Sequence, residues 1–202
     1  MRLNKNKEIL DHFLTKESFV LEYDPRYKMY RTLPKPNHKN LLNYYKTEDY
    51  ISHKSTAKGF FDKIFFFFKS IMIGQKIKII NKLFSKPARS LDIGSGTGDF
   101  TAALSASGWE AYGHEPSVLA KAFSKKKGVV HLDSLSLGTE NSFDLVTFWH
   151  SLEHVYSLKN TTAEVNRLLK PGGVIIIACP NFNSWDAKYY KSCWAAWDVP
   201  RH

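Results

Sequence analysis

Cysteine is scarce, with only Cys179 and Cys193 in 202 residues. That excludes a disulfide-built scaffold and a four-cysteine zinc site. Both thiols read as reduced, which places the chain in the cytoplasm. No long uninterrupted apolar run is present either. The opening residues, MRLNKNKEILDHFL, lack an apolar core and a small-residue cleavage site, so they are no signal peptide. The most apolar stretch, 59–74, is broken by Asp62, Lys63 and Lys69. It falls short of the roughly 20 apolar residues a membrane-spanning helix needs. Weak contact with a membrane surface stays open, because lysines recur through Lys82. Acidic residues are few: 19 Asp and Glu against 29 Lys and Arg leave a formal net charge of +10. The surplus favours anionic partners without choosing among nucleic acid, a lipid surface and phosphorylated substrates. What is plentiful is apolar material, 43% of residues with 14% aromatic, enough to exclude a disordered chain.

The chain changes character near residue 86. Residues 1–85 are rich in Lys, Tyr and Phe and poor in Gly. Pro25, Pro34 and Pro36 break any long helix before residue 39. A short helix is expected over 39–46 and a long one over 57–84, bent or broken at Gly74. From residue 86, short apolar runs alternate with Gly and Pro. Strands are expected at 89–93, 109–114, 129–132, 143–149 and 174–178, and helices at 100–107, 117–126 and 161–169. The last helix is expected to open on a capping box, Thr161-x-x-Glu164, and to stop at Pro171-Gly172-Gly173. This alternation predicts an α/β fold with an open, parallel, Rossmann-like sheet and right-handed crossovers. Two domains are expected: an N-terminal helical lid over 1–85 and a ligand-binding domain over 86–202.

The sharpest signal is Asp92-Ile93-Gly94-Ser95-Gly96-Thr97-Gly98, set between a strand and a helix. Glycines there admit positive φ and let a ligand approach the backbone. The ligand would sit beyond the carboxyl end of the strand, near the helix N-terminus. A dinucleotide fingerprint is G-x-G-x-x-G; here the third glycine comes one residue early and Asp99 takes its place. A P-loop lysine is absent. Asp92 suits a ligand with an ammonium group better than a pyrophosphate. Glu115, followed by Pro116, stands where an acidic residue accepts both ribose hydroxyls. Asp133-Ser134 follows the third strand, where a carboxylate can accept from an adenine amine. The residues therefore describe an adenosine with an amino-acid tail, which S-adenosylmethionine fits.

The glycine loop, Glu115, Asp133, the run from Phe143 to Val155 and Leu168-Leu-Lys-Pro-Gly-Gly173 together resemble the class I S-adenosylmethionine-dependent methyltransferases. The nearest group is the bacterial small-molecule branch that includes the ubiquinone-biosynthesis O-methyltransferases. The resemblance implies a five-strand order of 3-2-1-4-5, with the family's last two strands absent before His202. That leaves the fifth strand as an apolar edge and implies either a chain shorter than the family's enzymes or an edge covered by residues 182–202 or by a partner. It implies S-adenosylmethionine as cofactor, S-adenosylhomocysteine as product and a small-molecule methyl acceptor. It carries cofactor contacts onto Asp92, Gly94, Ser95, Gly96, Gly98, Glu115, Pro116, Asp133, Ser134 and Trp149. A tyrosine-rich segment resembling the branch's lid adds Tyr45, Tyr50 and His53. The paired Cys-x-x-Cys motifs of that branch are lacking, so no metal is expected.

His150, Glu153 and His154 follow the fourth strand, where the acceptor would sit. Either histidine can serve as general base. Glu153 can orient a histidine or hold a divalent cation. The same three residues also suit an ordinary helix entry. Asn181, Trp185, Trp194 and Trp197 resemble the branch's substrate-side loop, as an acceptor wall or as core. A nucleic-acid methyltransferase and a non-catalytic cofactor-binding module remain the rival readings. Against the first, no motif for a flipped base follows the fourth strand, so specific nucleic-acid binding is not expected. A homodimer stays open.

Overall fold

The computed structural model describes residues 6–37, 44 and 60–202. The chain packs as two compact units, residues 1–51 with 180–202, and residues 52–179. The expectation from sequence put a single boundary at residue 86.

In the first unit, residues 7–33 form an antiparallel sheet where a helical lid was expected. Its strands are β1 (Lys7–Leu10), β2 (Ser18–Asp24) and β3 (Met29–Leu33), paired in the order β1-β2-β3. Period-two burial decides the outcome: Phe19 and Leu21 are buried while Val20 between them is exposed. The buried face, with Ile9, packs on Trp194, Trp197 and Val199 from the other end of the chain. Trp194 and Trp197 are therefore core. The tight turn after β1 is built on Asp11, which accepts from the amides of Phe13, Leu14 and Thr15. Its charge meets Arg201 at 2.9 Å, with both side chains almost wholly buried. Burial opposes the Asp11 charge, but the Arg201 and Thr15 contacts outweigh it and hold the carboxyl well below the usual carboxylate range. The expected helix over 39–46 lies outside the described residues.

In the second unit, α1 (Phe60–Leu83) runs unbroken through Gly74. No bend is needed because tertiary packing, not glycine propensity, holds the helix: Ile80 is fully buried with Phe100 and Trp109. β4 (Arg89–Ile93), α2 (Asp99–Ala106), β5 (Glu110–His114), α3 (Val118–Lys126), β6 (Val130–His131) and β7 (Phe143–Trp149) follow. α4 (Leu158–Leu168) leads directly into β8 (Leu169–Ala178). The five strands pair in parallel in the order β6-β5-β4-β7-β8, as expected. β4 is central and buried from Ser90 to Ile93. β8 lies at the edge of this sheet, with Ile175 and Ile177 exposed.

Two local expectations are corrected. The N-cap of α4 is Ser157, whose side chain accepts from the Asn160 amide; Thr161 lies within the helix. Pro171-Gly172-Gly173 falls inside β8, beside a register irregularity against β7, instead of closing a helix. The final unit-one helix, α5 (Trp185–Tyr190), leaves Trp185 exposed and stacked on Tyr189 at 5.0 Å.

Candidate functional site

β4 ends at Ile93, and residues 94–98 carry the chain into α2. Gly94, Gly96 and Gly98 all have positive φ, at 75°, 53° and 76°. At Gly94 a Cβ would sit 2.3 Å from the Ser151 Cβ, and at Gly98 the same distance from the Ser124 Oγ. Those two glycines are required by the protein's own packing. Gly96 differs: among the described residues nothing lies within 4 Å of its Cβ position. The loop thus keeps an open face at its middle glycine.

Glu115, just past β5, leans over that face. Its Oε2 accepts from the Gly96 amide and its Oε1 from the Ser117 amide, both at 2.8 Å. Pro116, exposed, lies between the accepting Glu115 and the donating Ser117. Ser95 packs against Gly113, where a Cβ would approach its Oγ to 2.7 Å. Asp99 ties the helix start down: Lys69 of α1 and Lys127 reach its carboxylate at 2.7 and 2.8 Å. Burial opposes its ionisation, yet those contacts and Thr97 bring the carboxyl down to about 2.

Asp92 lies beneath the loop, 5% exposed. Thr147 donates to its Oδ1 at 2.7 Å and Thr101 to its Oδ2 at 3.0 Å. Burial pushes this carboxyl up to about 6, against the pull of those hydroxyls and of Lys76. The ammonium contact expected of Asp92 would thus compete with two threonines already in place. Neither threonine was singled out from sequence; Thr147 is found only through the register that sets it opposite Asp92. Asp133 is exposed and paired with Lys121 at 2.6 Å. Beside it, Ser134 Oγ lies 2.8 Å from Ser136 Oγ. Trp149 packs edge-on against Phe100, with Lys76 over its ring at 4.6 Å. His150 has φ of 56° and a largely exposed ring; its Nδ1 stands 3.7 Å from Glu153 Oε1. His154 is partly buried in the short turn Leu152–His154. Tyr45, Tyr50 and His53 lie outside the described residues.

Among the described residues, buried side-chain polar atoms without a hydrogen-bond partner stand at both ends of the sheet: Arg89 Nε and Ser90 Oγ at the start of β4, the rest at the opposite edge. Those at the opposite edge are Ser95 Oγ, His131 Nδ1, Trp149 Nε1 and Glu153 Oε2. All four residues stand at or just beyond the carboxyl ends of the parallel strands β4, β6 and β7. A buried polar atom left unpaired costs about 1–3 kcal/mol, so this edge is built for a polar ligand. An adenosine bearing an amino-acid tail fits the donor and acceptor set: an amide at Gly96, a carboxylate at Glu115, hydroxyls at Ser95 and Ser134.

A parallel sheet of this order, a three-glycine turn and a carboxylate closing the second strand define a Rossmann-like domain of the methyltransferase class. The chain belongs to the methyltransferase domain family, whose model matches residues 68–202. It is 34% identical over 122 residues to a demethylmenaquinone methyltransferase of Staphylococcus saprophyticus, covering 53% of this chain and 50% of that protein. The corresponding enzyme of Staphylococcus aureus is 35% identical over 127 residues, covering 52% and 51%. The chain thus spans about half the length of the curated relatives it matches. A crystal structure of an S-adenosylmethionine-dependent methyltransferase from Archaeoglobus fulgidus shares the fold, with a TM-score of 0.51 and 24% identity over 57% of this chain and 54% of that one.

Proposed function

We propose that the carboxyl edge of the parallel sheet binds S-adenosylmethionine and directs its methyl group to a small-molecule acceptor. The observation that carries this reading is the pairing of the open Gly96 face with the Glu115 carboxylate above it. When bound, the cofactor supplies a methyl group on a sulfonium, ready for in-line attack. Glu115 exchanges its hold on the Gly96 amide for the ribose hydroxyls, and the released amide turns to the ligand. Asp133 and Ser134 receive the adenine edge, with Lys121 setting the Asp133 carboxylate in place. Asp92 acts from below, holding Thr101 and Thr147 and lending negative field under the amino-acid tail. Pro116 stiffens the turn that carries Glu115, and Trp149 closes the floor through Phe100.

On the acceptor side, His150 or His154 takes the acceptor proton, and Glu153 orients the imidazole. His150 and Glu153 stand far enough apart, at 3.7 Å, that the pair tightens only with an acceptor present. Demethylmenaquinone, named for the Staphylococcus relatives, is the first acceptor to try.

Calorimetry with S-adenosylhomocysteine tests the reading. Saturable binding is expected, lost in Gly96→Arg, whose side chain enters space that no described residue occupies within 4 Å of the Cβ position. Glu115→Ala is expected to weaken binding by about 1–3 kcal/mol, the scale for a hydrogen bond to a charged group. Equal affinity in parent and both variants, or tighter binding of NADH, overturns it.

A further inference from the structure

α1 has two apolar faces where a surface helix ordinarily has one. Ile73, Ile77 and Ile80 turn towards the sheet and pack with Phe100, Leu104 and Trp109. A second row, Phe65, Phe68, Met72, Ile79 and Leu83, recurs at helical spacing and is open to solvent, Phe68 by 60% and Met72 by 54%. Scattered apolar side chains on a surface are ordinary; a row that recurs along one helix, here interrupted at Gln75 and Lys76, marks a contact site.

The charges of the same helix say what kind. From residue 63 to residue 83 it has five lysines and no acidic residue. Two of the five face the body of the unit: Lys69 pairs with Asp99 and Lys76 lies over Trp149. The other three, Lys63, Lys78 and Lys82, are exposed, with no carboxylate in ion-pairing reach among the described residues. Lys78 and Lys82 share a line along the helix with exposed Ile71, beside the apolar row. A second copy of α1 laid on this face would set Lys78 and Lys82 against lysines, because the helix's one acid, Asp62, stands about five turns before buried Ile80 and so on the other side. A protein surface of net charge +10 with an apolar row edged only by cations complements an anionic bilayer instead. Among the described residues no helix is long and apolar enough to cross a membrane, so the contact is along the surface.

We propose that α1 docks on an anionic lipid surface. Phe65, Phe68, Met72 and Ile79 enter the boundary between headgroups and acyl chains, and Lys78 and Lys82 beside them pair with lipid phosphates. The inference does not depend on the methyl-transfer reading. Flotation of the purified chain with vesicles tests it, using phosphatidylcholine alone and phosphatidylcholine with about one-third phosphatidylglycerol. The chain is expected to float with the anionic vesicles at low salt and to be released as salt shortens the screening length from about 10 Å to about 3 Å. Phe68→Ser with Met72→Ser, and Lys78→Glu with Lys82→Glu, are each expected to lower the bound fraction, by about fivefold or more per lysine. Circular dichroism and melting temperature should stay at the parent values, because all four side chains are exposed. Absence of flotation with anionic vesicles overturns the proposal, as does equal flotation of parent and both variants. A concentration-dependent dimer in sedimentation velocity, made monomeric by Phe68→Ser with Met72→Ser, also overturns it and gives the face to a second copy.

Discussion

Asp92 shows how one side chain couples the glycine loop to the sheet beneath it. Its carboxylate is buried, ionised only against desolvation, and held by Thr101 and Thr147. Because burial raises its pKa to about 6 in the folded chain, it stabilises most when protonated. That contribution is fully present below the unfolded value near pH ~4 and is lost as pH rises through about 6. Asp92→Asn removes the titration. Relative to the parent, the variant should therefore gain on the order of 2–3 kcal/mol between pH 4 and pH 7. Urea melts of both proteins at the two pH values measure the difference; parallel pH slopes would mean that Asp92 does not titrate in this window. The same geometry makes Asp92 a support of the loop more than a direct partner of a ligand's ammonium.

At the scale of elements, α1 separates two kinds of apolar residue that look alike in the sequence. Ile80→Ala should cost about 2–5 kcal/mol, the range for emptying a packed core position. Phe68→Ser should stay within about 0.5 kcal/mol, as expected of an exposed site. Thermal and chemical denaturation of the two variants decide it, and a large loss in Phe68→Ser would place that ring in the core. Local signals were the readable ones. The strand–glycine–helix turn from Leu91 to Asp99 and the alternating elements of 89–178 announced the parallel sheet, because each is written within a few consecutive residues. What stayed hidden depends on distant partners. Thr147 meets Asp92 only through the register of β7 on β4. The antiparallel sheet of 7–33 was passed over because its apolar positions, Ile9, Phe19 and Leu21, find their core in Trp194 and Trp197, far along the chain. Prolines and lysines dominated the reading there. Ser157 lost the cap to Thr161 in the sequence reading because a capping box is a stronger pattern than a lone serine, although both present a hydroxyl.

At the scale of the whole molecule, the first unit is joined from both ends of the sequence, and the Arg201–Asp11 pair is its most buried polar contact. Removing one partner of a buried pair leaves the other uncompensated and costs about 3–5 kcal/mol. Arg201→Ala should accordingly speed amide hydrogen exchange in β1, β2 and β3 and leave β4 and β7 at parental rates. Mass spectrometry of the exchanged peptides resolves the two regions, and unchanged exchange in β2 would show that the pair is dispensable. The same join has a consequence for synthesis on the ribosome. β1, β2 and β3 are made before the parallel sheet, and the tryptophans and the arginine that complete their core are made after it. At roughly 5–20 residues per second, the greasy face of that small sheet waits about 10–30 s for its other half. During that interval the parallel sheet can assemble from neighbouring segments, while the uncovered antiparallel strands are a natural client for a chaperone.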